Sequence, residues 1–204
     1  MKNEITFQEI IREKNWSTLV FNFSSRKVTQ ELQFRGAMKL AHELLFNPTG
    51  DDDIRNYGIR LLENIRKKYP QEWGESWEYD AFLGEAYRWN CFYDESFLAL
   101  KRALERTGSP PPSLLVWVAD CASCPGPSPI PFTEAIQYLH RAIKDYLYVD
   151  AVNILSSFHK LLDETKYAEF WKNLADTIKS SNIESPFIEP PFMSEPIDDA
   201  DFTL

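Results

Sequence analysis

The stretch Trp77–Pro112, "WEYDAFLGEAYRWNCFYDESFLALKRALERTGSPPP", sets small residues at Gly84, Ser96 and Ala103 among bulky apolar ones. A core with no other constraint is filled well by Leu and Ile. Gaps at fixed positions imply that a second helix packs closely at each of them. Apolar residues recur here at helical spacing on both sides of Asn90–Phe92, which predicts two helices joined by a turn.

The same small residues recur elsewhere. Gly58, Leu62 and Ile65 are spaced four and three apart, as are Ser96, Leu100 and Ala103; Ala135, Leu139 and Ala142; and Ala168, Lys172 and Ala175. Successive sets, starting at Gly58, Ser96, Ala135 and Ala168, lie 38, 39 and 33 residues apart. A period of this size is the mark of stacked helical pairs, each leaving one apolar face for a neighbour to cover.

With these residues in view, Trp77–Gly108 resembles a tetratricopeptide (TPR) repeat. Leu83-Gly84-x-x-Tyr87 fits that family's first helix, and Ser96, Leu100 and Ala103 fit the small, bulky and small positions of its second. Gly108 stands where a proline is usual. Leu40-Ala41 and Val118-Ala119 offer the equivalent step in flanking pairs, with enlarged turns at "NPTG" and "SCPGPSPIP"; Leu155-Ser156 matches poorly. The resemblance implies an all-α, irregular TPR-like superhelix of about four helix pairs behind a short N-terminal helical cap. A non-repetitive helical bundle is the alternative.

Outward from this segment, helical signals dominate. Thr6-Phe-Gln-Glu9 is a capping box ahead of Ile10 and Ile11. A short helix follows at Ser17–Phe23. Val28–Phe46 reads as one helix, with Leu32, Ala37, Leu40, Ala41 and Leu44 on one face, stopped by Asn47-Pro-Thr-Gly50. Asp51–Pro70 opens on three aspartates and closes on Arg66, Lys67 and Lys68, both favourable to the helix dipole. Further helical stretches cover 112–124, 132–148, 149–164 and 166–181. About ten helices and no sheet are expected; only "LVFNF" alternates like a strand.

One helical domain is expected over 1–183, followed by an acidic, proline-rich tail over 184–204. That tail, "ESPFIEPPFMSEPIDDADFTL", reads either as disordered or as a docking segment laid along this protein's own groove or a partner's.

Charge and composition bound the function. The chain has 204 residues, 22 basic and 31 acidic, for a net charge of −9. A phosphate-backbone binder needs a basic face, so nucleic acid and anionic membrane are poor partners. The first residues lack the apolar core of a signal peptide, and no run is long enough to span a bilayer, so a cytoplasmic location is expected. Three cysteines make no disulfide framework.

Catalytic motifs are absent: there is no phosphate loop, nucleophile elbow or dinucleotide fingerprint. His42-Glu43 begins like a zinc-protease helix, but Phe46 takes the place of the second ligand, so His42 reads as a core or groove residue. Cys121-Ala-Ser-Cys124 has metal or redox spacing, yet it ends a helix and has no second cysteine pair, and helix packing is the simpler reading. No cofactor, metal or enzymatic activity is expected.

The resemblance places the concave surface on the first helix of each pair. Its positions are Arg35, Met38 and His42; Glu78, Ala81, Glu85, Arg88 and Trp89; Ser113, Val116 and Asp120; and Asn153 and Lys160. Glu78, Glu85, Arg88, Trp89, Asp120, His42 and Asn153 are the expected partner contacts, since Trp and Arg anchor interfaces and acids suit a basic partner. The expected function is a protein-binding module. A small acidic chain of this kind suits a bacterial immunity protein (an antitoxin) neutralising a basic toxin domain. The alternative is an adaptor or secretion chaperone subunit that docks through its tail.

Overall fold

The computed structural model describes residues 6–179, 183–193, 195, 196 and 201. Among these the protein is all-α, with twelve α-helices, one short 3-10 helix and no strand. The contacts divide into two compact units. One comprises the described residues up to Tyr79 together with those from Glu189 onward; the other is Asp80–Ile188.

The first unit opens with α1 (Phe7–Arg12), α2 (Trp16–Asn22) and α3 (Ser25–Glu31). The Thr6–Glu9 capping box forms in full, with Thr6 Oγ1 accepting from the Glu9 N–H and the Glu9 carboxylate accepting from the Thr6 N–H. The "LVFNF" alternation falls mostly inside α2, because Leu19 is fully buried while Phe21 is exposed.

The single helix expected over Val28–Phe46 is two helices, α3 and α4 (Phe34–Leu45), separated by extended residues Leu32 and Gln33. The sequence explains the break. Leu32 and Ala37 are five apart, out of step with the three-and-four rhythm of one helix face. Both are completely buried only because the chain turns between them. Lys68 Nζ donates to the carbonyls of Thr29 (2.8 Å), Gln30 (3.2 Å) and Leu32 (3.4 Å), and the Tyr69 hydroxyl donates to Leu32 O, so the exposed end of α3 is satisfied.

Helix α5 (Asp52–Lys68) packs on α2, α3 and α4. Asp51 caps it through the Asp53 and Ile54 N–H groups, and Gly50, at φ +67°, makes the turn before it. Pro70 does not end the helical run but starts α6 (Pro70–Glu75), where its missing N–H costs nothing at the first helical position.

Helix α7 (Glu78–Trp89) crosses into the second unit, where α8 (Tyr93–Arg106), α9 (Pro112–Asp120), α10 (Phe132–Ala142), α11 (Val149–Leu161) and α12 (Thr165–Ile178) follow. Helix α9 runs on into the 3-10 turn Cys121–Ser123. Helix α10 stops at Ala142 rather than reaching Tyr148, and the last two residues of the expected 166–181 helix lie outside the described residues.

Adjacent helices pair: α4 with α5, α7 with α8, α9 with α10, and α11 with α12. The small residues sit where the pairs meet. A Cβ on Gly84 would lie 2.6 Å from Leu100 Cγ, and one on Gly58 would lie 3.1 Å from Leu45 Cγ. The Ser96 hydroxyl donates to Gly84 O across the α7–α8 crossing at 2.8 Å. At the far pair the Ser156 hydroxyl donates to Ala168 O at 2.9 Å, so Leu155-Ser156 makes the crossing that its sequence match understates. Leu83, Leu100, Ala103, Leu139 and Leu155 are all fully buried, each large side chain contributing about 1.5–3 kcal/mol of transfer free energy. Asp80 is bracketed by Arg102 (3.1 Å) and Arg106 (2.7 Å), which ties the start of α7 to α8.

Candidate functional site

The first helix of each pair carries the expected contact residues, and they meet very different fates. Glu85 is 3% exposed, and Arg88 grips it bidentately through Nε (2.7 Å) and a terminal nitrogen (2.6 Å). The other terminal nitrogen of Arg88 pairs with Asp120, whose second oxygen accepts from the Ser123 hydroxyl at 2.9 Å. Burial alone would lower the Arg88 pKa, but the hydrogen bonds and charge of Glu85, then Asp120, outweigh it and raise the pKa above the ordinary arginine value. The two carboxylates expected to meet a basic partner, Glu85 and Asp120, are engaged within the chain. One is enclosed, and both are consumed by Arg88, because residues three apart on α7 face each other and Asp120 arrives from α9.

Trp89 stands on the rim of the second unit, 38% exposed. Its ring stacks on Phe187 at 6.1 Å and 15°, while Trp117 also meets Phe187 at 5.5 Å and 53°. Residues 183–188 therefore form a strap on this unit. The Val149 N–H, at the open start of α11, donates to Ile183 O at 2.9 Å, and the Ser113 hydroxyl donates to Pro186 O. Asp150 accepts from both the N–H and the hydroxyl of Ser185.

Residues 189–193, 195, 196 and 201 continue as a strap on the first unit. Phe192 packs edge-on against Phe34 at 6.3 Å, lies 6.4 Å from Tyr79, and sits under the Arg35 guanidinium at 5.3 Å. Lys39, only 2% exposed, donates to Pro196 O at 2.8 Å and pairs with Asp201 at 3.0 Å. Arg35 pairs with Glu195 and reaches Asp201 at 3.6 Å. Gly36 leaves room for this approach, since a Cβ there would fall 2.3 Å from Asp201 O. The described part of the tail thus lies on helix faces of its own chain; residues 194, 197–200 and 202–204 lie outside the described residues.

Two more of these residues sit in the first unit. Glu78, half-buried, begins α7, where its N–H donates to the Ser76 hydroxyl at 3.3 Å. His42 lines a cleft of about 610 Å³ together with Lys14, Trp16, Phe46, Pro48 and Ile54, and its ring lies 4.5 Å from that of Phe46. Burial lowers its pKa, opposed by the nearby carboxylates of Glu189 and Glu43. Asn153 is exposed on α11, apart from the strap contacts described above.

Of the sulfurs, Cys121 is buried, donates to Trp117 O at 3.4 Å and lies 3.4 Å from the Ser96 hydroxyl. Burial pushes its thiol up to about 11, so the side chain packs there as the neutral thiol. Cys124 faces the carbonyls of Gly126 and Pro127. Among the described residues, no group of three or more His, Cys, Asp or Glu is placed to hold a metal ion, and no helix is long and apolar enough to cross a membrane.

Arg35, Ser113 and Trp89 meet the strap, as does the buried Trp117; Lys39, which also meets it, was not among the expected contacts. The signal for Lys39 was present: a lysine inside the apolar stripe Ala37–Ala41, four residues after Arg35. No family model matches the chain, and neither a curated protein nor a solved structure resembles it significantly.

Proposed function

We propose that this chain is a non-enzymatic, TPR-like helical-repeat module that binds a protein partner through the faces of its first helices, and that the element it grips is an extended segment. One observation carries this reading. Those faces hold 183–193 in extended or turn conformation, with ring slots for side chains and side-chain donors for backbone carbonyls. Curved helical repeats present such surfaces to peptides.

Two of the three acids first assigned to a basic partner, Glu85 and Asp120, are engaged by Arg88, and the charges that meet the held segment in the first unit are the cations Arg35 and Lys39. An adaptor or chaperone that accepts a segment of a client fits this arrangement better than an immunity protein gripping a basic toxin domain. The toxin reading keeps the support of the net charge of −9.

Affinity capture with mass spectrometry tests the reading, comparing the native chain with Trp89→Ala and with Asp94→Lys, a change at an exposed residue of α8. A specific partner is lost with Trp89→Ala and kept with Asp94→Lys. Equal capture by all three forms would show that the first-helix faces do not carry binding.

A further inference from the structure

The strap contains one short pattern twice: Pro186-Phe187-Ile188-Glu189 and Pro191-Phe192-Met193, with Glu195 two residues beyond. Each unit receives one copy, and the two share an aromatic slot and a buried aliphatic position. Each phenyl ring enters an aromatic slot, Trp89 and Trp117 in the second unit and Phe34 and Tyr79 in the first. Each following aliphatic side chain is buried, Ile188 at 7% and Met193 at 4% exposure. The carbonyl contacts differ in register: Ser113 donates to Pro186 O, just before its Phe, whereas Lys39 donates to Pro196 O, four residues after Phe192. Proline presets an extended backbone and has no N–H to leave unsatisfied, so such a segment docks with little ordering cost.

We propose that each unit carries a binding slot for a Pro-Phe-aliphatic segment, with acid beyond it in the first unit's ligand, and that the strap is an internal competitor which a partner protein's segment of the same chemistry displaces. This deepens the protein-binding reading and rests on it. Part of the hold on the strap is exposed, where exchange can begin, while the buried Lys39–Asp201 pair requires the incoming segment to bring an acid of its own. Phe187 remains 45% exposed beside its two tryptophans. The Arg35–Glu195 pair is about half exposed on both sides, where ion pairs contribute little. Phe192 sits at φ +57°, a left-handed conformation that a residue with a Cβ adopts at a cost and that an incoming segment need not copy. The cations of the first-unit slot, Arg35 and Lys39, select for acid in the ligand.

A full chain carrying a specific protease sequence in place of residues 180–182, cut while folded, separates the strap from the body with every other residue present. The probes are two labelled peptides with the sequences of 184–189 and 190–196. The expected result is that the cut strap washes off, the body keeps its helical circular dichroism and cooperative melt, and both peptides bind it. Peptides with Phe replaced by Ala bind at least tenfold more weakly. Trp89→Ala removes binding of the first peptide, Arg35→Ala removes that of the second, and the uncut chain binds both less tightly than the cut one. Unfolding of the body on loss of the strap makes the strap a part of the core and overturns the proposal. So does equal binding of scrambled peptides, or a dimer in which two copies exchange straps. Failure of the peptides beside a capture that still depends on Trp89 would reject this ligand class and leave the protein-binding reading intact.

Discussion

Replacing Arg88 by Met tests whether the Glu85–Arg88–Asp120 network is architecture or an offered binding surface. The thioether chain preserves most of the packing of the arginine stem and deletes the charge. Glu85 then stays 3% exposed with neither of its two guanidinium hydrogen bonds. Breaking a buried pair by removing one partner costs about 3–5 kcal/mol, because a charge is left enclosed. The Arg88 and Asp120 side chains are 23% and 21% exposed, so water reaches the outer half of the network. Screening there reduces the expected loss to about 2–4 kcal/mol.

Urea denaturation followed by circular dichroism measures it, with the midpoint lowered and the slope unchanged. The melting temperature should fall by about 5–12 °C for a chain of this size. The double variant Glu85→Gln/Arg88→Met removes both charges and should recover at least half of the loss, which a double-mutant cycle quantifies. A single variant within about 0.5 kcal/mol of the native chain would refute the reasoning. Glu85 and Asp120 would then be solvated acids, and the case for a basic partner would regain its central residues.

The remaining predictions concern packing and pH. Gly84→Ala should destabilise by up to about 2 kcal/mol, since overpacking against Leu100 outweighs the gain of about 1 kcal/mol in helix propensity, whereas Gly74→Ala, with nothing within 4 Å of the added methyl, should be neutral or stabilising by denaturant titration. If both substitutions behave alike, the close crossing of α7 and α8 is wrong. Burial lowers the His42 pKa below that of the unfolded chain, so on acidification the unfolded state takes up the proton first. Stability is therefore full above about pH 6.5 and declines as pH falls below it. His42→Asn should flatten that decline between pH 7 and 5; an unchanged slope would place the titration elsewhere.

The sequence is most informative where local signals and packing agree. Thr6–Glu9, Asp51 before α5, and the Gly84–Ser96 crossing each combine a local preference with a partner close in the chain. The α3–α4 break was harder to read, because the burial of Leu32 depends on α5, whose Lys68 and Tyr69 satisfy the freed carbonyls from 36 or more residues away. Spacing on a helix wheel identifies a face but not what covers it. Glu85 and Arg88 could thus be read as neighbours on α7, while the pairing of Arg88 with Asp120, 32 residues beyond it, was invisible. Lys39 was overlooked for the same reason, since the groups that satisfy it come from Pro196 and Asp201.

The two outer pairs of the second unit show what the repeat conserves physically. In α7–α8 the second helix supplies the hydroxyl, Ser96, and the first supplies the carbonyl, that of Gly84. In α11–α12 the roles reverse, with Ser156 on the first helix donating to Ala168 on the second. Both crossings join residues twelve apart in sequence, and both need a small residue on each side. What recurs is therefore the closeness of two backbones, which Gly, Ser or Ala each permits, and not a particular residue at a particular place. Small residues occupy these crossings, while the large rings of Trp89 and Trp117, also on first helices, line the strap. The first helices thus supply both one side of each crossing and the rings that hold an extended segment.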